Sequence, residues 1–344
     1  MNRDEWLIVS DICNMNLEVS KSFIFKDFSH KQKEIYTKYC KIIKNKVECN
    51  KIYNKYKTNG VKWLTLEDDF YPEIIIENDY KITTLFYKGN IKLLKNINLG
   101  ITGSRHATYY GKWACNKNIK ELVNCSVTLI SGIASGIEEM VHKLSYEANR
   151  PSIMILPYGF DMIKSKKLQM IINNIIDVGG LVITPFPLGG NVYKTNYLYA
   201  NYLFACLANS LFVIEAGEKS GVNNTIMHAI DLGKNILALP GNVNSEMSVI
   251  PNKLIRDGAI SILGIEDLYL YLFKENYNKK NREISFEDED EENIFNLIKN
   301  GPKHIDVLCF TSKMAISKLK QIIFQLEIKE MIDEIEPNVY CAKN

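Results

Sequence analysis

The sequence is short of most features that announce a function. Its 344 residues carry 42 Lys and Arg against 40 Asp and Glu, a net charge of only +2. Without overall basicity, a nucleic-acid site has to be a local patch. No apolar run approaches the roughly 18 residues of a membrane span, so no membrane partner is expected. The eight cysteines, at 13, 40, 49, 115, 125, 206, 309 and 341, include no CxxC pair. Scattered in this way they read as reduced and structural, and no metal site is expected. There is no GxSxG elbow, and the five histidines (30, 106, 142, 228 and 304) lie far apart, so no hydrolytic set assembles and no catalytic residue is assigned. No GxGxxG follows the first core strand, which argues against a dinucleotide fingerprint, and no cofactor is expected. Internal repeats are also lacking. The N-terminal stretch MNRDEWLIVSDICN carries acids early and lacks a signal-peptide layout, so a cytoplasmic location is expected.

What is present is an ordinary globular composition, 46% hydrophobic and 24% charged, on a chain long enough for two or three domains. Residues 1–82 read as a small helical domain followed by an edge segment. Over residues 1–60 Lys and Arg outnumber Asp and Glu by 12 to 7, which reads as a solvated basic face or, more sharply, an accessory nucleic-acid contact. Residues 83–274 alternate apolar runs with helical patterns. Strands are expected at 98–102, 126–131, 152–157, 180–185, 211–215, 235–239 and 260–263. Near-continuous apolar strands between helices predict an α/β, doubly wound and mostly parallel sheet of Rossmann-like type. Residues 275–292 read as an acidic, polar linker. Residues 293–344 give helix, turn, helix, a long third helix and a hairpin, which is a winged-helix layout with Ser312 as a cap.

The chain is organised around residues 99–138, where two strands each end in a small-residue turn that opens a helix. At the first turn, Gly103-Ser104-Arg105, a hydroxyl, backbone N–H groups and a bidentate guanidinium suit a phosphate, although a plain tight turn would look similar. The second, Ser131-Gly132 through Gly136, stands at the end of the adjacent strand, where helix N-termini favour anions. A third stretch places Lys194 beside Asn196, Tyr197 and Asn201. An amine with aromatic rings suits single-stranded nucleic acid, while an amphipathic helix burying its tyrosines is the plain alternative. The fourth holds Ser220, Gly221, Asn223 and Thr225 at the next strand end. Leu239-Pro240-Gly241-Asn242 and then Asn252 and Arg256 complete the set.

Taken together, GSRHATYYG at 103–111, SGIASGIE at 131–138, EAGEKSGVNNT at 215–225, ALPGNV at 238–243 and NKLIRDGA at 252–259 resemble the DprA/Smf family of bacterial DNA-processing proteins. The resemblance implies a non-catalytic protein that binds single-stranded DNA, protects it in natural transformation and loads a RecA-type recombinase. It also implies a homodimer joined through the Rossmann-like domain, and an N-terminal domain of SAM or helix-hairpin-helix type. The family's phosphate-binding arginine maps onto Arg105 and its serine-glycine turn onto Ser131 and Gly132. Its lysine and stacking aromatic map onto Lys194 and Tyr197. The chain departs from the pattern where family arginines become Ser135, Ala200 and Tyr202. Fewer cations should lower phosphate affinity and flatten its salt dependence.

Two other functions compete. The core is also similar to the nucleotide phosphoribohydrolases with PGGxGTxxE, whose glutamate works on the ribose. Ser220-Gly221 and Thr225 stand at the comparable turn, but the carboxylate position is His228. A duplex reader would use the third C-terminal helix, where Lys313, Lys318, Lys320 and Lys329 are crowded by Glu327, Glu330, Asp333 and Glu334. That mixed charge favours a protein-contact module.

Overall fold

The computed structural model describes residues 1–13, 22–24, 29–76, 82–274, 286, 288–299, 301–329 and 331–342. Most of the expected linker, residues 275–285 and 287, lies outside them, as does Glu330. The chain forms two compact units, Met1–Tyr277 and Asn278–Asn344.

The first unit is built on a nine-stranded sheet in the order β1-β2-β6-β5-β4-β3-β7-β8-β9. The strands are β1 (Lys62–Thr65), β2 (Thr84–Gly89), β3 (Asn98–Thr102), β4 (Thr128–Ser131), β5 (Ser152–Ile155), β6 (Leu181–Thr184), β7 (Ser210–Val213), β8 (Asn235–Ala238) and β9 (Ile260–Ser261). Strands β3 to β9 run parallel, whereas β2 pairs antiparallel with both β1 and β6. The parallel strands are short and fully buried apart from Asn235 at the start of β8 and the exposed two-residue β9. That is why they read as continuous apolar runs rather than alternating ones.

Helices cover both faces. On one face lie α4 (Tyr109–Leu122), α5 (Ile137–Glu147) and α10 (Ile265–Phe273), whose Ile119, Val141 and Leu268 pack with Leu99, Ile101 and Phe212 of the strands. Further along the same face α6 (Lys166–Asp177) meets Met154 and Val182. The opposite face holds α7 (Asn196–Leu207), α8 (Val222–Asp231) and α9 (Val249–Arg256), packed on Ile130, Ile153, Leu211 and Val213. Each buried Leu or Ile of this kind contributes about 1.5–3 kcal/mol.

The expected domain boundary at 82/83 is corrected by the structure. Strand β1, from the segment assigned to the N-terminal domain, is the edge strand of the same sheet, and β2 lies one place inside that edge. The N-terminal helices α1 (Arg3–Cys13), α2 (His30–Lys44) and α3 (Lys46–Thr58) belong to the same unit. The Ser10 hydroxyl donates to Thr84 Oγ1 of β2 at 2.8 Å, and Lys55 Nζ bridges Asp11 (2.7 Å) and the Leu188 carbonyl (2.7 Å). Leu7 and Tyr56 pack against Phe86 and Val182, so the helices complete the sheet's cover.

The second unit contains α11 (Glu289–Lys299), β10 (Lys303–His304), α12 (Ile305–Ser312), α13 (Ile316–Ile328), β11 (Ile332–Glu336) and β12 (Val339–Ala342), with an antiparallel sheet ordered β10-β12-β11. Ser312 does not cap α13. It ends α12, the chain turns through Lys313 at φ 56°, and Ala315 occupies the cap position. On α13 Lys318 pairs with Asp290, and at its C-terminal cap Lys329 Nζ holds the buried Glu291 at 2.7 Å. Two of the lysines a duplex reader would need are therefore neutralised within the unit. Phe310 (86% exposed) and Phe324 (62%) instead present apolar surface.

Candidate functional site

Sheet order places a switch point between β3 and β7. The chain winds outward from β3 through β4, β5 and β6, then returns to lay β7 against β3. The loop after β3 leaves toward α4 on one face, and the loop after β7 leaves toward α8 on the other. Diverging loops open a crevice at the carboxyl ends of the strands, which is where open α/β sheets take ligands.

A chain of polar contacts joins the loops around this crevice. The carboxylate of Glu215, just past β7 and only 1% exposed, accepts from the Thr108 N–H at 2.9 Å and from the Thr108 hydroxyl at 2.5 Å. Thr108 also caps α4, accepting from the Gly111 N–H at 3.2 Å. A Cβ on Gly111 would lie 2.2 Å from Glu215 Oε2, so glycine here is what lets the acid reach the helix start. The N-terminus of α4 thus already carries an internal anion. Next along, the Tyr110 hydroxyl donates to the Pro240 carbonyl at 2.6 Å, and the Ala216 N–H donates to the Met247 carbonyl at 2.8 Å. Thr108, Tyr110, Glu215, Pro240, Gly241 and Ser248 help to line a cavity of about 500 Å³ beside the switch point.

The second turn is clamped in a similar way. Glu138 accepts from the Thr102 hydroxyl at 2.8 Å and from the Ala134 N–H at 2.9 Å, and burial pushes its carboxyl above the usual range. Gly136, at φ +84°, brings the turn so close that a Cβ would stand 2.3 Å from the Ser104 carbonyl oxygen. Beneath it His142 is fully buried, its Nε2 3.0 Å from the Gly132 carbonyl and its Nδ1 3.0 Å from Ser152 Oγ. A carbonyl only accepts, so Nε2 carries the proton and Nδ1 accepts from the serine. Burial pulls the His142 pKa from 6.5 down to about 4.

The unfolded chain therefore takes up a proton below pH 6.5 that the folded chain refuses until about pH 4. Stability should accordingly fall as pH falls through that window, by about 2 kcal/mol between pH 7 and pH 5. The check is the urea midpoint against pH for the wild type and His142→Gln. Loss of that part of the slope in the variant is expected, and an unchanged slope would remove His142 as its cause.

The residues singled out from the sequence do not all present themselves to a ligand. Arg105 is exposed and makes no ion pair or hydrogen bond among the described residues, while Gly103 and Ser104 beneath it are buried. The Ser104 hydroxyl accepts from the His106 N–H at 3.0 Å, shaping the turn. Ser131 is corrected: it is 0% exposed and donates to the Ile101 carbonyl at 2.7 Å, a strand-to-strand tie out of a ligand's reach. Gly132 is half-buried. Lys194 and Tyr197 are exposed at the start of α7, whereas Asn196 is buried and donates to the Asn191 carbonyl at 3.4 Å. Asn201 is half-buried one turn on.

Ala200 and Tyr202, where relatives are expected to carry arginine, both lie in the core cluster beneath the sheet. Their side chains point inward, so arginines there would be buried among Leu203, Phe204 and Val213. Ser135, by contrast, is exposed on the second turn.

At the fourth turn Ser220 and Asn223 are half-buried, Gly221 is exposed and Thr225 is buried. Asn223 donates to the Glu218 carbonyl at 2.7 Å, leaving its buried Oδ1 without a partner among the described residues. Asn252 is a loop brace: its amide exchanges hydrogen bonds with the Gly241 N–H (3.1 Å) and carbonyl (3.0 Å). Arg256 faces the neighbouring Asp257 at 2.8 Å, which cancels much of its charge toward a phosphate. His228, at the position of a phosphoribohydrolase glutamate, packs edge-on to Tyr202 at 5.6 Å between ring centroids. Tyr158, half-buried after β5, is not singled out by the sequence; its hydroxyl is held above its ordinary acidity range mainly by burial and then by nearby Tyr197. Its sequence neighbourhood, Pro157-Tyr158-Gly159, is an ordinary turn and carried no signal.

An open doubly wound sheet with glycine-rich turns gathered at one switch point defines a Rossmann-like ligand-binding protein. Residues 62–272 match the model of the DNA recombination-mediator protein A family, and the chain belongs to that family. It is 29% identical to the Smf protein of Escherichia coli over 203 residues, 59% of this chain and 54% of that protein. The chain thus matches about half the length of the Escherichia coli relative. To the DNA processing protein DprA of Bacillus subtilis it is 27% identical over 233 residues, 66% of this chain and 78% of that protein. Among solved structures, DNA processing protein A from Streptococcus pneumoniae superposes with a TM-score of 0.66 at 22% identity, over 79% of this chain and 99% of that one. DNA processing protein A from Helicobacter pylori, described for its single-stranded DNA binding mode, gives 0.55 at 24% identity, over 63% and 98%. At these identities the two structures speak for the fold.

Proposed function

We propose that this chain binds single-stranded DNA across the carboxyl edge of the sheet, without catalysis, and acts as a recombination mediator in DNA uptake. The observation that carries the reading is Arg105, an exposed cation that makes no hydrogen bond or ion pair among the described residues and acts only at longer range on the buried Glu138 carboxyl, on the turn beside the switch-point crevice of a family member. Arg105 and the backbone of the neighbouring turns would hold phosphates, Lys194 would add charge, and Tyr197 with Tyr158 would offer rings to bases. The carboxylates at the edge favour binding over chemistry, because Glu138 and Glu215 are both engaged as acceptors that brace loops. Delivery of the strand to a RecA-type recombinase, a homodimer formed through the first unit and a cytoplasmic location belong to the same proposal. In it, the second unit serves as a protein-contact module, consistent with its paired lysines and exposed phenylalanines.

Fluorescence anisotropy tests this reading with labelled oligo-dT and a duplex of equal length at two salt concentrations. The expected result is a salt-sensitive preference for the single strand. A duplex preference, or no binding at low salt, would overturn it.

A further inference from the structure

The outer face of α4 carries aromatic side chains that the core does not use. Tyr109, its first residue, is 95% exposed, and Trp113, one turn on, is 57% exposed. The rings of Tyr110 and Trp113 stack at 6.0 Å with an interplanar angle of 27°, and Lys117 Nζ stands 5.3 Å from the indole centroid. These positions follow one another along the helix as i, i+3 and i+7, so they form a continuous column on the surface. Lys112 and Lys120 are also exposed on α4, and Glu121 is its one acidic residue. The column starts at Tyr110, five residues after Arg105 on the same loop and helix, and Tyr110 anchors it to the Pro240 carbonyl at the edge of the crevice.

Aromatic faces interleaved with lysines suit a polyanion that carries its own rings. Each base offers a π-face whatever its identity, and the amines meet the phosphates between. A purely apolar protein partner would leave those lysines unmatched. We propose that the outer face of α4, with Trp113 at its centre, is a base-stacking platform that continues the path of single-stranded nucleic acid from Arg105 along the helix. The inference rests on the single-strand reading above and extends its footprint to this helix face.

Titration of the full chain with oligo-dT, read at once by anisotropy of the labelled strand and by tryptophan emission, tests it. Trp6 is buried and Trp63 half-buried, so quenching by the strand should come from Trp113. The expected result is quenching that saturates together with the anisotropy, is lost in Trp113→Ala, and is accompanied there by about tenfold weaker binding, the size of one stacked base. Trp113→Phe should recover part of that affinity. Far-UV circular dichroism of both variants checks that the exposed substitution leaves the fold intact.

Wild-type affinity in Trp113→Ala, or anisotropic binding without any change in emission, would overturn the platform. If Arg105→Ala still weakened binding in that case, the single-strand reading would survive it. A Trp113→Ala protein that binds normally but changes its oligomeric state in sedimentation would mark the face as a contact between copies and also overturn the proposal. Failure of oligo-dT to bind the wild type at all would remove both.

Discussion

Replacing Arg105 by alanine should weaken binding of single-stranded DNA at least about tenfold at low salt, and by the same factor for every base sequence. A charge-assisted contact to phosphate is worth about 1.5–3 kcal/mol when it is made by a free donor, and about 1.4 kcal/mol is already a factor of ten. Arg105 makes no hydrogen bond or ion pair among the described residues, and only its longer-range attraction to the buried Glu138 carboxyl competes with a phosphate. Its loss should also flatten the plot of log affinity against log salt by about 0.7 for each phosphate released. Anisotropy titrations of the wild type and Arg105→Ala at several salt concentrations, with oligo-dT and a mixed sequence, measure both quantities. Lys143→Ala is the control, because Lys143 sits on α5 within 3.8 Å of Glu147 and has no place in the site. Equal affinity and equal slope for Arg105→Ala and the wild type would move the phosphate site elsewhere.

Glu215→Ala should destabilise the first unit by about 3 kcal/mol or more. The substitution removes a buried charged acceptor and with it two hydrogen bonds from the half-buried Thr108 N–H and hydroxyl, each worth about 1.5–3 kcal/mol to an ionised group. It also takes an anion away from the N-terminus of α4, which costs up to about another 1 kcal/mol. Glu215→Gln keeps the shape and one acceptor, and the threonine hydroxyl can rotate to accept from the new amide, so a smaller loss of about 1 kcal/mol is expected. All three tryptophans, at 6, 63 and 113, lie in the first unit, so urea unfolding followed by tryptophan emission reports that unit alone. A Glu215→Ala midpoint equal to that of the wild type would show the carboxylate to be dispensable. Since Thr108 ends the loop that carries Arg105, the alanine variant should also bind DNA more weakly, even under conditions where it is fully folded.

The core strands were legible because a parallel strand covered on both faces has to be apolar at nearly every position. The run 98–102 coincides with Asn98–Thr102, and the other expected strands fall within one or two residues of the observed ones. The turns at 103–105, 131–136 and 215–221 were legible as interruptions by small residues, and parallel order then brought them to one edge. The place of β1 was not legible. A four-residue strand carries no mark of its neighbour, and only pairing with β2 puts Lys62–Thr65 into the main sheet rather than a separate domain. Ser131 shows the same limit at one side chain, because its hydroxyl would suit a phosphate but the Ile101 carbonyl, thirty residues away, takes it.

The sequence by itself determined the class of the fold, the edge that carries the site and the family, since each depends on local pattern: apolar runs, small-residue turns and motifs in a fixed order. Only the tertiary structure decided which residues at that edge are free. Glu138, Glu215 and Asn252 are held by loops distant in sequence or by their own turn, Ala200 and Tyr202 face the core, and Arg105, Lys194 and the α4 column face solvent. A polar group near a site either braces it or serves it, and the deciding contact is a hydrogen bond between segments that only folding brings within 3 Å of each other.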